Sequence, residues 1–212
     1  MIAVLDYGIG NLRSAQKALE HVGADARLVD RPEDAESASG IVLPGVAAFG
    51  ASMRALRATG FVEVVERCVA DERPFLGVCV GLQLLFEGSE EDPGAPGLGL
   101  LGGTVRALAE TERRPQMQWN VVNKVEGRPT RILDDDDQDH WYYFVHSYAP
   151  VPEGPESAAA VIGTCDYGGE VAVAFERGNL FGTQFHPEKS AAPGLRLLRR
   201  FAALCGECAE GA

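Results

Sequence analysis

The sequence predicts an α/β fold with a mostly parallel central sheet flanked by helices, and with additional antiparallel strands in the C-terminal half. Three observations support this prediction. Strand and helix patterns alternate in the first half of the chain, strand patterns dominate after Gly103, and 46% of the 212 residues are hydrophobic. A chain of this length and composition can bury a core of its own, so we expect a single domain over residues 1–212.

Short apolar runs in the first half alternate with segments of helical periodicity. Ile2–Leu5 is a continuous apolar run, and Leu12, Leu19 and Val22 then lie at helical spacing after a possible cap at Asn11. The predicted strands are 2–5, 40–43 and 75–78, and the predicted helices are 11–22, 61–69 and 82–86. Strands that alternate with helices in this way form parallel sheets covered on both faces.

The second half is rich in strand-forming segments and closes with an amphipathic helix. The predicted strands are 104–108, 119–125, 141–148, 158–162, 171–175 and 180–184, and the final helix is 194–204. Segments 88–99 and 151–157 contain enough Gly and Pro to be surface connections without lasting regular structure. The acidic run at 134–137, with Asp139, is expected to be a solvated turn and not a metal site, because like charges repel.

Charge and hydropathy exclude several classes of partner. The chain has 31 acidic and 19 basic side chains, a net charge of −12, which argues against nucleic-acid binding. No apolar run approaches the roughly 20 residues of a membrane span, and the first residues lack the positive charge of a secretory signal. The five cysteines are scattered and odd in number, which favours reduced thiols. We therefore expect a cytoplasmic protein that binds neither nucleic acid nor membrane.

Two further motifs are rejected as binding sites. Gly8 and Gly10 lack the third glycine of a dinucleotide fingerprint, because Arg13 occupies that position, and no GK[ST] phosphate loop occurs in the chain. The Cys205 and Cys208 pair has no second ligand pair for structural zinc, so both are expected to be incidental thiols.

The segment Gly77-Val78-Cys79-Val80-Gly81 lies between a predicted strand and a predicted helix. It has the form of a nucleophile elbow with cysteine in place of serine. Glycine two positions away on each side removes the Cβ atoms that would collide at such a tight turn, and a helix N-terminus favours the negative thiolate. The backbone N–H of Val80 would then face an oxyanion. The alternative is that Cys79 is simply a small buried residue, which is common for cysteine.

A thiolate nucleophile needs a base, and His186 is the candidate. It follows the predicted strand 180–184 in Gln184-Phe185-His186-Pro187-Glu188, and Glu188 is placed to reach one imidazole nitrogen and orient the ring. A structural histidine is the alternative. A second oxyanion donor would come from the turn Pro44-Gly45-Val46-Ala47, through the N–H of Val46 or Ala47, although this segment could equally be a plain turn.

Cys79, His186 and Glu188 together resemble the triad of the class I glutamine amidotransferases. Further segments resemble the glutaminase subunits of imidazole glycerol phosphate synthases, and the resemblance covers residues 2 to about 204. The matching segments are GVCVGLQLL at 77–85, QFHPEKS at 184–190, DYGIGNL at 6–12, LPGV at 43–46, PQM and WN at 115–120, and YYFVHSY at 142–148.

The resemblance implies a subunit that hydrolyses L-glutamine to glutamate and ammonia. A (β/α)8 barrel cyclase subunit would use the ammonia to convert PRFAR to imidazole glycerol phosphate and AICAR in histidine biosynthesis, with no metal or other cofactor in this chain. By position in the matching motifs, several residues acquire expected roles. The oxyanion donors are Val46 and Val80, and the partner contacts are Asn11, Met117, Trp119, Tyr143 and Lys189. Gln83 is expected to hold the α-carboxylate of glutamine and Glu91 (or its neighbour Glu90) its α-amino group, with Ser147 and Tyr148 contributing backbone groups.

Two positions depart from the family pattern, which more often has Gly at the positions of Ala47 and Gln118. If the oxyanion turn must flip to become active, the Cβ of Ala47 restrains it, so we expect low glutaminase activity without the partner. Three alternatives stay open: another glutaminase or amidotransferase subunit, such as that of pyridoxal phosphate synthase or anthranilate synthase; a non-catalytic scaffold; and a cysteine peptidase of similar fold.

Overall fold

Thirteen strands and seven α-helices occur in the computed structural model, within the described residues 1–134 and 140–207. The strands are β1 (Ile2–Leu5), β2 (Ala26–Val29), β3 (Gly40–Gly45), β4 (Phe75–Cys79), β5 (Gly88–Ser89), β6 (Gly103–Ala107), β7 (Gln116–Val121), β8 (Asn123–Lys124), β9 (Trp141–His146), β10 (Tyr148–Pro152), β11 (Val161–Asp166), β12 (Glu170–Arg177) and β13 (Leu180–Thr183). The helices are α1 (Leu12–His21), α2 (Pro32–Ala35), α3 (Phe49–Ala58), α4 (Phe61–Ala70), α5 (Val80–Gln83), α6 (Pro155–Ala160) and α7 (Ala191–Leu204), and a 3-10 turn covers Pro187–Lys189.

The central sheet has eight strands in the order β2-β1-β3-β4-β13-β12-β11-β8. The pairs from β2 to β13 are parallel, whereas β12, β11 and β8 extend the sheet with antiparallel pairs. Two smaller sheets, β10-β6-β5 and β7-β9, are formed by strands within residues 88–152. This arrangement confirms the predicted fold class.

The strands at the centre of the sheet are buried because neighbours cover both faces. Every residue of β1, β3, β4 and β13 is buried, which explains why they read as continuous apolar runs and not as alternating patterns. Helix α1 buries Ala15, Ala18 and Leu19 on one face. Asn11 lies at its N-cap position, but its side chain makes no capping hydrogen bond, so the proposed cap was wrong in that respect.

Five elements were not predicted, namely β2, α2, α3, β5 and β10. Two predicted segments between residues 151 and 162 were also assigned wrongly. Residues 158–160, predicted as strand, belong to α6, which begins with Pro155 at a position where proline is well tolerated. The predicted loop 151–157 instead contains the end of β10 and the start of α6. Because β10 lies at a sheet edge, Pro150 and Pro152 fit without interrupting an interior ladder.

Several helices and strands also begin or end at residues other than those predicted. The helix predicted at 82–86 is the short α5, which begins directly after Cys79 and ends at Gln83. The segment 119–125 divides between β7 and β8, 141–148 divides at Ser147 between β9 and β10, and the connection 88–99 begins with the short strand β5.

Asp134 is not part of a solvated turn. It is buried and forms ion pairs with Arg196 at 2.8 Å and Arg200 at 2.9 Å, both on α7. Residues 135–137 and Asp139 of the acidic run lie outside the described residues, as does Cys208, whereas Cys205 is buried. The longest described helix, α7, has 14 residues, and none of the described helices qualifies as a membrane span.

Candidate active site

Cys79 ends strand β4 and directly precedes helix α5, in a strained backbone conformation. Its φ is +56° and its ψ is −111°, a region that costs a non-glycine residue about 1–3 kcal/mol. The two flanking glycines permit the turn: a Cβ on Gly81 would overlap the Leu43 carbonyl oxygen, and a Cβ on Gly77 would lie 2.7 Å from the Gly81 oxygen. The segment is therefore a true strand-to-helix elbow.

The imidazole of His186 lies beyond the end of β13, the strand parallel to β4. Its Nδ1 lies 2.8 Å from Glu188 Oε1. The main chain is also held in place: the His186 N–H donates to the Tyr143 carbonyl at 3.0 Å, and the Ser190 hydroxyl donates to the His186 carbonyl at 2.6 Å. The ring orientation and the loop that carries it are thus both constrained by hydrogen bonds.

The charge state of His186 depends on opposing effects. Burial lowers its pKa, but hydrogen bonding and charge interactions with Cys79 and Glu188 outweigh burial and raise the pKa to about 9. His186 Nε2 is buried and has no partner at hydrogen-bonding distance and angle among the described residues. No hydrogen bond joins Nε2 to Cys79 in this geometry, so Cys79 acts on the ring through charge. The ring is therefore biased towards imidazolium beside the thiol.

Cys79 and His186 share a cavity of about 390 Å³ at the carboxyl ends of β3, β4 and β13. Gly45 pairs with Cys79 across β3 and β4, which places the turn after Gly45 beside the elbow. The predicted site residues that line the cavity are Asn11, Val46, Cys79, Val80, Gln83, Glu91, Ser147, Tyr148, His186 and Lys189. Glu188 is absent from the lining, and Nδ1 of His186 is the atom that faces it.

A larger cavity, of about 480 Å³, lies between the β6–β10 pair and the β11–β12 pair. Its lining contains neither cysteine nor histidine, and its charged groups already have partners within the protein. Arg106, for example, pairs with Glu153 at 2.8 Å, and Arg128 donates to the Val161 carbonyl at 2.7 Å. The smaller cavity is therefore the one with the residues for chemistry.

Two polar side chains in the cavity are held by contacts that the sequence did not reveal. Gln83 is 3% exposed, and its Nε2 donates to the Tyr148 carbonyl at 2.9 Å and to Gln184 Oε1 at 3.0 Å, so only its Oε1 remains for a ligand. Glu91 Oε2 accepts the Phe49 N–H at 2.7 Å, at the first residue of α3. Glu90 pairs with Arg106 and does not line the cavity, so of the two acidic candidates Glu91 is the one at the site.

His146 is a cavity residue that sequence reasoning missed. Its Nδ1 lies 2.8 Å from the Tyr148 carbonyl, an acceptor, so Nδ1 carries the hydrogen. The pKa of His146 is lowered to about 4, mainly by burial and with a smaller contribution from the nearby His186, against the Tyr148 carbonyl contact, which raises it. The ring is therefore neutral. The pairing of β7 with β9 and the position of β9 next to the triad could not be read from local pattern.

The three remaining predicted residues, Met117, Trp119 and Tyr143, lie on the β7–β9 pair and do not line the cavity. Met117 is 65% exposed and Trp119 is 44% exposed. Trp119 packs edge-on against Tyr143, with ring centroids 6.0 Å apart, and Lys189 Nζ lies 5.9 Å from the Tyr143 ring centroid. An exposed apolar and cationic surface thus extends from Lys189, which lines the cavity, to Met117.

Comparison with known proteins identifies relatives over nearly the whole chain. The family model described as glutamine amidotransferase class-I matches residues 3–204. Imidazole glycerol phosphate synthase subunit HisH of Moorella thermoacetica is 44% identical, covering 96% of this chain and 94% of the relative. The HisH subunit of Syntrophotalea carbinolica is 46% identical, covering 95% and 98%. The chloroplastic synthase hisHF of Arabidopsis thaliana is 41% identical, covering 95% of this chain but 34% of that protein.

Solved structures support the fold. A crystal structure of a glutamine amidotransferase superimposes with a TM-score of 0.72 at 24% identity, covering 97% of this chain and 98% of the other. The Thermotoga maritima PurLQS structure gives 0.71 at 18% identity, covering 94% and 96%. The family match, the extent of the similarity and the shared fold together lead to one conclusion: this chain belongs to the class I glutamine amidotransferase family.

Proposed function

We propose that this chain is the glutaminase subunit of an imidazole glycerol phosphate synthase. The observation that carries the proposal is the placement of Cys79 and His186 in one cavity, with Glu188 at 2.8 Å from the far side of the imidazole. The HisH relatives, which match this chain along nearly their full length, support the choice of synthase over the other amidotransferases. Gln83 and the acidic Glu91 in the cavity wall also suit a small zwitterion better than a peptide.

In the first half-reaction, Cys79 Sγ attacks the side-chain amide carbon of glutamine. The C–S bond forms, the amide oxygen becomes an oxyanion, and the imidazolium of His186 then donates its Nε2 proton to the leaving nitrogen. The C–N bond breaks and ammonia departs, which leaves a glutamyl thioester on Cys79. Glu188 keeps the hydrogen on Nδ1, so that Nε2 is the nitrogen that faces the reacting atoms.

In the second half-reaction, water replaces ammonia. The now neutral His186 Nε2 takes a proton from water as the oxygen attacks the thioester carbon, and the C–S bond breaks to release glutamate. The thiolate and the imidazolium are then restored. The oxyanion in both steps would be held by the N–H of Val80, which as the first residue of α5 has no acceptor within the helix, and by that of Val46.

Substrate contacts follow from which polar atoms remain available. Gln83 has only Oε1 to offer, an acceptor, so it would contact the α-ammonium end of glutamine and not the carboxylate. Glu91, anchored by the Phe49 N–H, would contact the same ammonium with its other oxygen. Ser147 and Tyr148 would contribute backbone groups from the bend between β9 and β10.

The partner would be a (β/α)8 barrel cyclase docked over the mouth of the cavity in the cytoplasm. It would use the released ammonia to convert PRFAR to imidazole glycerol phosphate and AICAR. Asn11 and Lys189 at the mouth, together with the exposed Met117 and Trp119 and the partly buried Tyr143, form the surface assigned to it. Exposed aromatic and methionine side chains are typical of such interfaces. No metal or other cofactor enters this scheme.

The test is the glutaminase rate of the purified chain, measured alone and then with the cyclase subunit and its nucleotide ligand. We expect a low rate alone and a rise of several orders of magnitude on assembly, each tenfold being about 1.4 kcal/mol. Cys79→Ser should abolish ammonia release, whereas Cys165→Ser, at a buried cysteine outside the cavity, should not. A response that is flat on assembly would reject the synthase assignment.

Labelling provides an independent check of the nucleophile. Burial raises the pKa of the Cys68 and Cys165 thiols to about 11, so neither should react with a glutamine-like electrophile near neutral pH. Exclusive labelling of Cys79, blocked by glutamine, is expected. Absence of labelling there would favour the non-catalytic scaffold.

A further inference from the structure

Two buried amide side chains, those of Gln83 and Gln184, form a hydrogen-bonded chain that reaches the sulfur of Cys79. Gln184 follows β13, two residues before His186, and is fully buried. Its Nε2 lies 3.6 Å from Cys79 Sγ, within the range of an N–H···S hydrogen bond. Its Oε1 accepts from Gln83 Nε2 at 3.0 Å.

The orientation of the Gln184 amide is determined by a group that cannot be reversed. The Tyr148 carbonyl can only accept, so the Gln83 atom 2.9 Å from it must be the nitrogen. That same nitrogen directs its second hydrogen to Gln184, so the Gln184 atom facing it must be the oxygen. The Gln184 nitrogen is then left to face the sulfur. The Tyr148 carbonyl is itself held by the N–H of the neutral His146 ring.

We propose that Gln184 is a positioning residue for the nucleophile, which it holds by donating an amide N–H to the Cys79 sulfur. A donor favours the thiolate over the thiol, because hydrogen bonds to an ionised acceptor are the stronger ones. The same amide chain includes Gln83, the residue assigned to the substrate ammonium, so the sulfur and the substrate end share one rigid support. The role of Gln184 in turnover rests on the proposed glutaminase function, whereas its contact with the Cys79 sulfur does not.

The other groups that face the sulfur act separately from Gln184. His186 faces it from the β13 side, and Tyr7 approaches from the β1 side, with its hydroxyl donating to the Pro44 carbonyl at 2.7 Å. Burial raises the pKa of Tyr7, so it stays neutral. Glu91 and Lys189 are the charged residues elsewhere in the cavity wall. All of these are unchanged in a Gln184 variant, so a change in thiolate population reports on the amide.

The test measures the rate of Cys79 alkylation by iodoacetamide against pH in the full chain. Gln184→Met keeps the length of the side chain but removes the N–H donor. We expect alkylation at pH 7 to slow by about 10- to 100-fold and the midpoint of the pH profile to move to higher pH. Gln184→Glu, which places an acceptor with negative charge beside the sulfur, should move the midpoint further in the same direction. Gln116→Met is the matched control, because Gln116 is equally buried and lies outside the cavity lining.

A Gln184→Met profile that superimposes on that of the wild type would overturn the proposal. If that variant does not fold, Gln83→Met is the second test: it removes the donor that orients Gln184, and an unmoved profile would overturn the proposal as well. Alkylation needs neither glutamine turnover nor the cyclase. A shifted profile in a chain without glutaminase activity would therefore support the positioning role while rejecting the proposed function.

Discussion

Replacement of Glu188 by glutamine should change the glutaminase reaction in a pH-dependent way. Burial lowers the pKa of His186, and the interactions with Cys79 and Glu188 reverse this and raise it to about 9. The imidazolium must be present to protonate the departing ammonia, so activity should be lost as pH rises through the pKa of His186. Removing the carboxylate removes part of the upward shift, so in Glu188→Gln the loss should begin at lower pH.

The size of the effect follows from the two limiting pKa values. At pH 8, a group with a pKa of about 9 is about 90% protonated, and one with the ordinary histidine value of about 6.5 is about 3% protonated. The loss of kcat/KM in Glu188→Gln at pH 8 is therefore at most about 30-fold, because Cys79 still raises the pKa of His186 in the variant. At pH 6 the same two values give populations that differ by less than about 1.5-fold.

The assay is kcat/KM for glutamine between pH 6 and pH 9.5, with the cyclase subunit present. Glu176→Gln is the control, since that carboxylate lies on β12, pairs with Arg131 and is outside the cavity lining, so its loss should leave the profile unchanged. An equal loss at every pH would refute the reasoning, because Glu188 would then only orient the ring and would not set its protonation.

Three further outcomes are expected. Ala47→Gly should raise the basal glutaminase rate about 5- to 30-fold, because a positive φ costs a residue with a Cβ about 1–2 kcal/mol. An unchanged rate would mean that the oxyanion turn at 44–47 does not pass through such a conformation. Lys189→Ala should weaken cyclase binding or activation, measured by titration with the partner, because it removes the cation near the Tyr143 ring. Lys17→Ala on α1 is the control and should change neither. If the Lys189 variant binds the cyclase as tightly as the wild type, Lys189 is not part of the interface. Phe201→Ala should lower the free energy of unfolding by about 3–5 kcal/mol in urea titration, because the ring is fully buried between α7 and the sheet, and a loss below about 1 kcal/mol would contradict that packing.

The elbow shows why part of the site was predictable. The spacing of Gly77, Cys79 and Gly81 reflects a local steric requirement, and the structure meets it with the strained φ of Cys79. The His186 to Glu188 contact is equally local, since only Pro187 separates the two residues along the chain. A steric or hydrogen-bonding requirement between residues one or two positions apart can therefore be recognised from the sequence.

Contacts between segments that are distant along the chain could not be predicted from the sequence. Helix α3 was missed, and with it the Phe49 N–H that anchors Glu91. Its apolar residues Phe49, Met53 and Leu56 lie at helical spacing, but the N-cap position holds Ala48, which has no capping side chain to mark the start of the helix. The rearranged elements around 151–160 depend on whether a strand lies at an edge, which only the assembled sheet determines.

By itself, the sequence determined the alternation of buried strands and helices and the strained turn that carries Cys79, because burial pattern and backbone sterics act over a few residues. The tertiary structure alone decided that Gln83, Gln184, His146 and the Tyr148 carbonyl form one connected set of buried polar groups. These residues come from three separate segments of the chain, at 83, 146–148 and 184. The segments meet only because buried donors and acceptors must find partners once parallel strands bring their ends together.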